Sequence, residues 1–173
     1  LNNPNLLMQS AELSERRAEV LAGFPFYQTD NARELTARSA RTYLQVSEYA
    51  PGTPAEEESL WRAGRNFYIA DYFERAVEAF SLFVEKYTSS DRAGEATNLL
   101  GRSYRRLGLF DQAIDVFSRN AQRRTPDGRK ALYYLGETYL AAGKTQGRDR
   151  LGDPRTPFPE VDEEGVFRCE TAL

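Results

Sequence analysis

Residues of the same kind return every 37 positions through the middle of this chain, and only a fold built from repeated units accommodates such a period. Gly64 and Gly101 lie 37 apart, and Gly136 follows 35 residues later. Phe67, Tyr104 and Tyr139 each stand three residues after one of these glycines. Phe73 and Phe110, Ala76 and Ala113, and Phe80 and Phe117 repeat at the same 37-residue interval. Within each unit the apolar positions recur at helical spacing, and short polar breaks separate the runs. A unit of this length cannot bury its own apolar face, so stacking on a neighbour must complete the core. The period therefore predicts antiparallel helical hairpins set side by side. Small residues let paired helices approach, while aromatics fill the gap between hairpins, each burial contributing roughly 1.5–3 kcal/mol.

The breaks place the helices. Thr53-Pro54-Ala55-Glu56 sets threonine at the N-cap, proline at N1 and glutamate at N3, and predicts a helix to about Ala70. Asn31-Ala32-Arg33-Glu34 reads as a capping box for the helix before it, which stops ahead of Pro51-Gly52. Further helices are expected from near Tyr72, from Ser90 or Asp91 to Gly108, from Leu109 to about Arg124, and from Thr125-Pro126-Asp127-Gly128 to Gly143. Toward the start, residues 1–9 read as loose and Ser10–Ala22 as a short amphipathic cap, joined on by the apolar linker Phe24-Pro25-Phe26-Tyr27. The expected organisation is an N-terminal segment over 1–30, a helical repeat domain over 31–146, and an extended acidic tail over 147–173.

These glycines and aromatics resemble the tetratricopeptide repeat (TPR) family over roughly Asn31 to Gly143. The family places a small residue and an aromatic on helix A, and a small residue and a phenylalanine on helix B. On that likeness, two full repeats cover about 53–88 and 90–125. Ser39, Tyr43, Val46 and Pro51 fall at helix-B positions of an earlier one, and 126–143 is a further helix A without a helix B. Asp71 stands where a glycine is usual between the two helices, and Leu60, not Trp61, holds the tryptophan position. The fold the resemblance implies is all-α, a TPR-like α-solenoid of antiparallel helical hairpins with an irregular C-terminal tail. The helix end Phe80, Phe83, Tyr87 looks similar to bacterial cell-envelope TPR proteins, which implies a setting on the periplasmic side.

Composition narrows the chemistry. The chain lacks histidine and has one cysteine, Cys169, which removes histidine-based nucleophile activation, imidazole metal ligation and any intrachain disulfide. A net charge of −3 argues against nucleic acid as a partner. No run of apolar residues is long enough to span a membrane. Gly143-Lys144-Thr145 lacks the earlier glycine and the preceding strand of a phosphate-binding loop, and reads as a helix stop. Glu56-Glu57-Glu58 suits a first helical turn, and Asp162-Glu163-Glu164 a solvated run. The chain reads as a binding protein with no enzyme activity, no cofactor and no metal.

In TPR proteins the inward face of helix A lines a concave groove. The resemblance assigns to it Trp61, Arg65 and Tyr68, then Asn98, Arg102 and Arg105, then Lys130, Tyr133 and Glu137. Only Lys86, Lys130 and Lys144 of the 23 basic residues are lysine, and arginine suits planar carboxylates. The expected function is a protein–protein interaction scaffold or adaptor whose basic, aromatic groove takes an extended acidic peptide or tail. Lys130 matches one position of the family's carboxylate clamp, but Leu99 and Tyr134 stand where that clamp needs polar donors. The tail stretch Pro159-Glu160-Val161-Asp162-Glu163-Glu164 is a candidate ligand for this groove or that of a neighbouring subunit, and Glu170-Thr171-Ala172-Leu173 fits a carboxyl-terminal recognition pattern. The alternative is a structural accessory subunit of a large complex, membrane-associated or not, held through its last helix and tail.

Overall fold

The structure is a computed structural model that describes residues 3–23 and 30–149. The apolar linker at 24–27 and the tail motifs beyond 149 lie outside the described residues. Among those described there are seven α-helices and no strand: α1 (Pro4–Ala22), α2 (Asp30–Tyr49), α3 (Pro54–Ile69), α4 (Phe73–Lys86), α5 (Ala93–Arg106), α6 (Phe110–Ala121) and α7 (Pro126–Asp149). None of them is long and apolar enough to cross a membrane. The chain divides into a compact unit, Leu1–Ala141, and a second, Ala142–Leu173, whose described part is the end of α7. The packing below belongs to the first.

From α1 to α6 each helix packs on the next in sequence, α3 also touches α5, and α7 meets α6 where Phe117 lies 5.5 Å from Tyr134, as in a TPR-like α-solenoid of antiparallel hairpins. Three starts of the inner helices share one device. A polar cap residue precedes a proline, whose missing N–H is an orphan donor in any first turn. Asn3 accepts from the Asn5 N–H at 3.0 Å, Thr53 from the Glu56 N–H at 3.3 Å, and Thr125 Oγ1 from the Gly128 N–H at 3.1 Å. The first of these corrects the sequence reading of the N-terminus. Residues 4–9 are helical, because Asn3-Pro4 starts α1 well before Ser10.

Two of the three repeated glycines, Gly64 and Gly101, do what the period predicts. A Cβ on Gly64 would lie 2.7 Å from the Phe80 ring, and one on Gly101 would lie 2.6 Å from the Phe117 ring. Two positions 37 residues apart thus let α4 close on α3 and α6 close on α5 in the same way. Both phenylalanines are fully buried. Between the two helices of each hairpin the chain reverses through a left-handed residue, Asp71 at φ 61° in the first and Gly108 at φ 75° in the second. That conformation is routine for glycine and accessible to aspartate. Arg33 and Arg106 both pair with the Asp71 carboxylate, at 3.8 and 3.6 Å.

Two expected boundaries move. Helix α5 begins at Ala93, after a turn in which Ser90 Oγ accepts from the Arg92 N–H at 3.2 Å, so Ser90 sits just before the helix without being its N-cap. Helix α7 runs past Gly143 to Asp149. Glycine inside a helix costs only about 1 kcal/mol, so Gly143 slows the helix without ending it.

Candidate functional site

Helices α3, α5 and α7 carry the residues assigned to the groove, and their side chains differ in what holds them. Trp61 belongs to the core. It is 8% exposed and lies 5.9 Å from the rings of both Phe80 and Phe83, with the Arg92 guanidinium 5.7 Å from its own ring. Asn98 is buried and committed to structure: Nδ2 donates to the Asp127 carbonyl at 3.0 Å, and Oδ1 accepts from Asn120 Nδ2 at 2.8 Å.

Arg105, Tyr133 and Glu137 form one unit. Arg105 Nη1 donates to Glu137 Oε2 at 2.5 Å, and the Tyr133 hydroxyl donates to Oε1 at 2.8 Å. The Arg105 hydrogen bond, helped by Tyr133, holds the Glu137 carboxyl below the usual carboxylate range. Lys130 is exposed and bonds Asp127 on its own helix at 3.2 Å.

Arg65, Tyr68 and Arg102 remain. Arg65 is exposed and has no ion pair among the described residues. Arg102 is half-buried, with its guanidinium 5.1 Å from the Tyr68 ring and 5.2 Å from the Tyr134 ring. Its buried Nε has no hydrogen-bond acceptor, and no described carboxylate pairs with it. A guanidinium held between two ring faces keeps its charge while losing rotational freedom. Sequence spacing named Arg102 and Tyr68 for the groove, and Tyr134, 32 residues beyond Arg102, only as a departure from the family's carboxylate clamp.

Toward α1 the same face changes sign. A cleft of about 370 Å³ is lined by Glu12, Glu15, Arg16, Glu19, Glu58, Trp61, Arg62, Arg65 and Arg92. Most of its charge is internally matched. Arg62 Nε donates to Glu58 at 2.5 Å, and Arg62 Nη1 donates to the Tyr43 hydroxyl at 3.0 Å. The Tyr43 hydroxyl in turn donates to Glu15 at 2.8 Å, and Arg92 bonds the second oxygen of Glu58. Burial pulls the Glu58 carboxyl upward, but its two arginines outweigh it and hold the group low. This chain of ion pairs and hydrogen bonds ties α1, α2, α3 and the start of α5 together and was not read from the sequence, since directly bonded partners such as Glu15 and Arg62 are 47 residues apart.

A second clasp closes the first full hairpin. The buried Glu56 carboxylate accepts from Lys86 Nζ at 2.5 Å, the Gly52 N–H at 2.6 Å and the Tyr87 hydroxyl at 2.8 Å. Burial raises its pKa, yet those three donors prevail and hold it below the ordinary range. Burial and the same carboxylate push the Tyr87 hydroxyl up to about 12.

The tetratricopeptide repeat family model matches residues 63–119 and 98–147, the span that includes both Gly–Phe approaches. No curated protein matches the sequence significantly. Fold and family match together support tetratricopeptide repeats over residues 63–147, within a TPR-like α-solenoid, a kind of repeat that generally mediates protein–protein interaction.

Proposed function

We propose that the chain is a non-enzymatic scaffold or adaptor whose concave face, centred on α3 and α5, binds an extended acidic segment of a partner protein. One observation carries this reading: Arg65 and Arg102 occupy the same position of consecutive inner helices, and neither has a described carboxylate partner. Most other arginines of this face are neutralised within the chain. A guanidinium clamped by rings that makes no ion pair, and acts on the Glu137 carboxyl only at longer range, is open to a carboxylate from outside. Of the nine residues first assigned, Arg65, Tyr68 and Arg102 make the contacts, Arg105, Lys130, Tyr133 and Glu137 border them, and Trp61 and Asn98 hold the surface in shape.

The test is selection from a library of unstructured peptides with the full chain as bait. Acidic peptides should be enriched, and Arg65→Glu, on an exposed side chain, should lower their binding by at least tenfold. Enrichment of basic or purely apolar peptides would overturn the reading.

A second reading rests on α7, where Tyr133 is 64% exposed and Leu140 is 54% exposed. Such a face suits a structural subunit gripped by a neighbour in a large assembly, including one peripheral to a membrane. Charge reversal at Arg102 and Arg105 separates the two, since an adaptor loses its ligand while a structural subunit still assembles. The proposed setting is the bacterial cell envelope, which rests on the likeness of the Phe80, Phe83, Tyr87 helix end to proteins found there.

A further inference from the structure

Resting on the groove reading, we infer a register: the site selects two acidic residues three apart, Asp/Glu-x-x-Asp/Glu, in a ligand of polyproline II form. Arg65 and Arg102 are 37 residues apart, and so are the Gly64–Phe80 and Gly101–Phe117 approaches beside them. One repeat step therefore carries Arg65 onto Arg102. Because α3 and α5 touch, that step is close to the separation of packed helices, about 8–10 Å.

A ligand must offer two carboxylates on one side at that spacing. A polyproline II chain has three residues per turn and rises about 3.1 Å per residue, so positions i and i+3 share a side at roughly 9.3 Å. A β-strand puts i and i+2 on one side at about 6.7 Å, and i and i+4 at about 13 Å. Neither matches the step between the two helices. The polyproline form also reaches the groove already extended, so less chain entropy is lost on binding.

The register ends at two sites. The corresponding position on α7 is Glu137, a carboxylate that already occupies Arg105. On the α1 side the cleft is bordered by Glu12, Glu15 and Glu19. An acidic run longer than the motif meets a paired carboxylate at one end and a cleft of mixed, largely matched charge at the other, so lengthening it adds little.

The experiment uses the full chain at low salt and a set of proline-rich peptides. Each carries two glutamates, at separations of one to four residues, with equal net charge, and binding is read by fluorescence anisotropy. The peptide with separation three should bind about tenfold more tightly than the others, the value of one charge-assisted contact. Arg65→Gln should flatten the series without altering the helical circular dichroism spectrum. Equal binding across the series overturns the register and leaves the acidic-groove reading standing. A best separation of two overturns the polyproline form in favour of a strand. Failure of every acidic peptide, with a basic control bound, overturns both the register and the groove.

Discussion

The two complete hairpins share a period but not a seam. In α3–α4 the space toward the next hairpin is closed by Trp61 and Phe83, whose ring centroids lie 5.9 Å apart. In α5–α6 the positions 37 residues on are Asn98 and Asn120, joined by a 2.8 Å amide hydrogen bond. Asn120 Nδ2 also donates to the Gly94 carbonyl at 3.0 Å, and Asn98 fastens the Asp127 carbonyl at the start of α7. Both members of the pair change together, from ring–ring to amide–amide. The clasp changes too, since Ala93 stands where the first hairpin has Glu56, and Arg123 and Arg124 stand for Lys86 and Tyr87. The comparison teaches that the scaffold keeps the glycine and its phenylalanine, together with the buried Ala76 and Ala113, while the seam beside them changes. The surfaces between hairpins are free to be apolar or polar, even where one buried acceptor, Asn120 Oδ1, has no hydrogen-bond partner.

The largest expected effect tests what the hairpins share. Phe80→Ala and Phe117→Ala should each cost about 3–5 kcal/mol in urea unfolding, because both rings are fully buried against a glycine. A loss below about 1 kcal/mol at either site would break the equivalence. The seams come next. Phe83→Asn should cost roughly 3 kcal/mol by leaving a buried amide among rings, and Asn120→Ala roughly 2 kcal/mol. A double-mutant cycle of Asn98→Ala with Asn120→Ala should show about 1 kcal/mol of coupling, and additive losses would mean the amide pair is incidental.

The clasp gives a smaller, pH-dependent effect. The folded pKa of Glu56 lies below its unfolded value, so its stabilisation is present above the unfolded pKa. It is lost as pH falls through the folded pKa. Glu56→Gln should therefore cost about 1–2 kcal/mol at neutral pH and less in acid. Hydrogen exchange should show acid loosening α3–α4 at the Lys86 end before α5–α6, and simultaneous opening would count against the clasp. The smallest effect concerns the turns. Gly108→Ala should lose about 1 kcal/mol, whereas Asp71→Gly should change the melting free energy by less than about 0.5 kcal/mol. There the easier backbone offsets the weak pairs to Arg33 and Arg106.

The period, the close helix approach at Gly64 and Gly101 and the Thr53-Pro54 start were legible because each depends on spacing or on a local cap, whereas the seating of Phe80 and Phe117 inside their hairpins was not. Asn3-Pro4 carried the same local signal as Thr53-Pro54, and reading it would have placed the start of α1. The end of α7 was not legible, because a glycine inside a helix differs little from one that stops it. Among the groove residues, spacing located the face but not the loyalties of its side chains. Trp61 turns into the core, Asn98 into a seam, and Arg105 onto Glu137, each toward a partner at least 19 residues away in sequence. Such choices depend on which residues the stack brings together, and a single helix pattern contains no record of them.

The unlike seams bear on how the array assembles. Chains made of near-identical units risk joining in the wrong order, or trading a unit with another molecule, as they leave the ribosome. Here a hairpin edged with rings and a hairpin edged with amides do not make interchangeable neighbours: an amide set against rings is left without a donor, and a ring set against amides strands them. Each junction thus carries its own address, and the order of the units is written into their edges as well as into the loops that connect them.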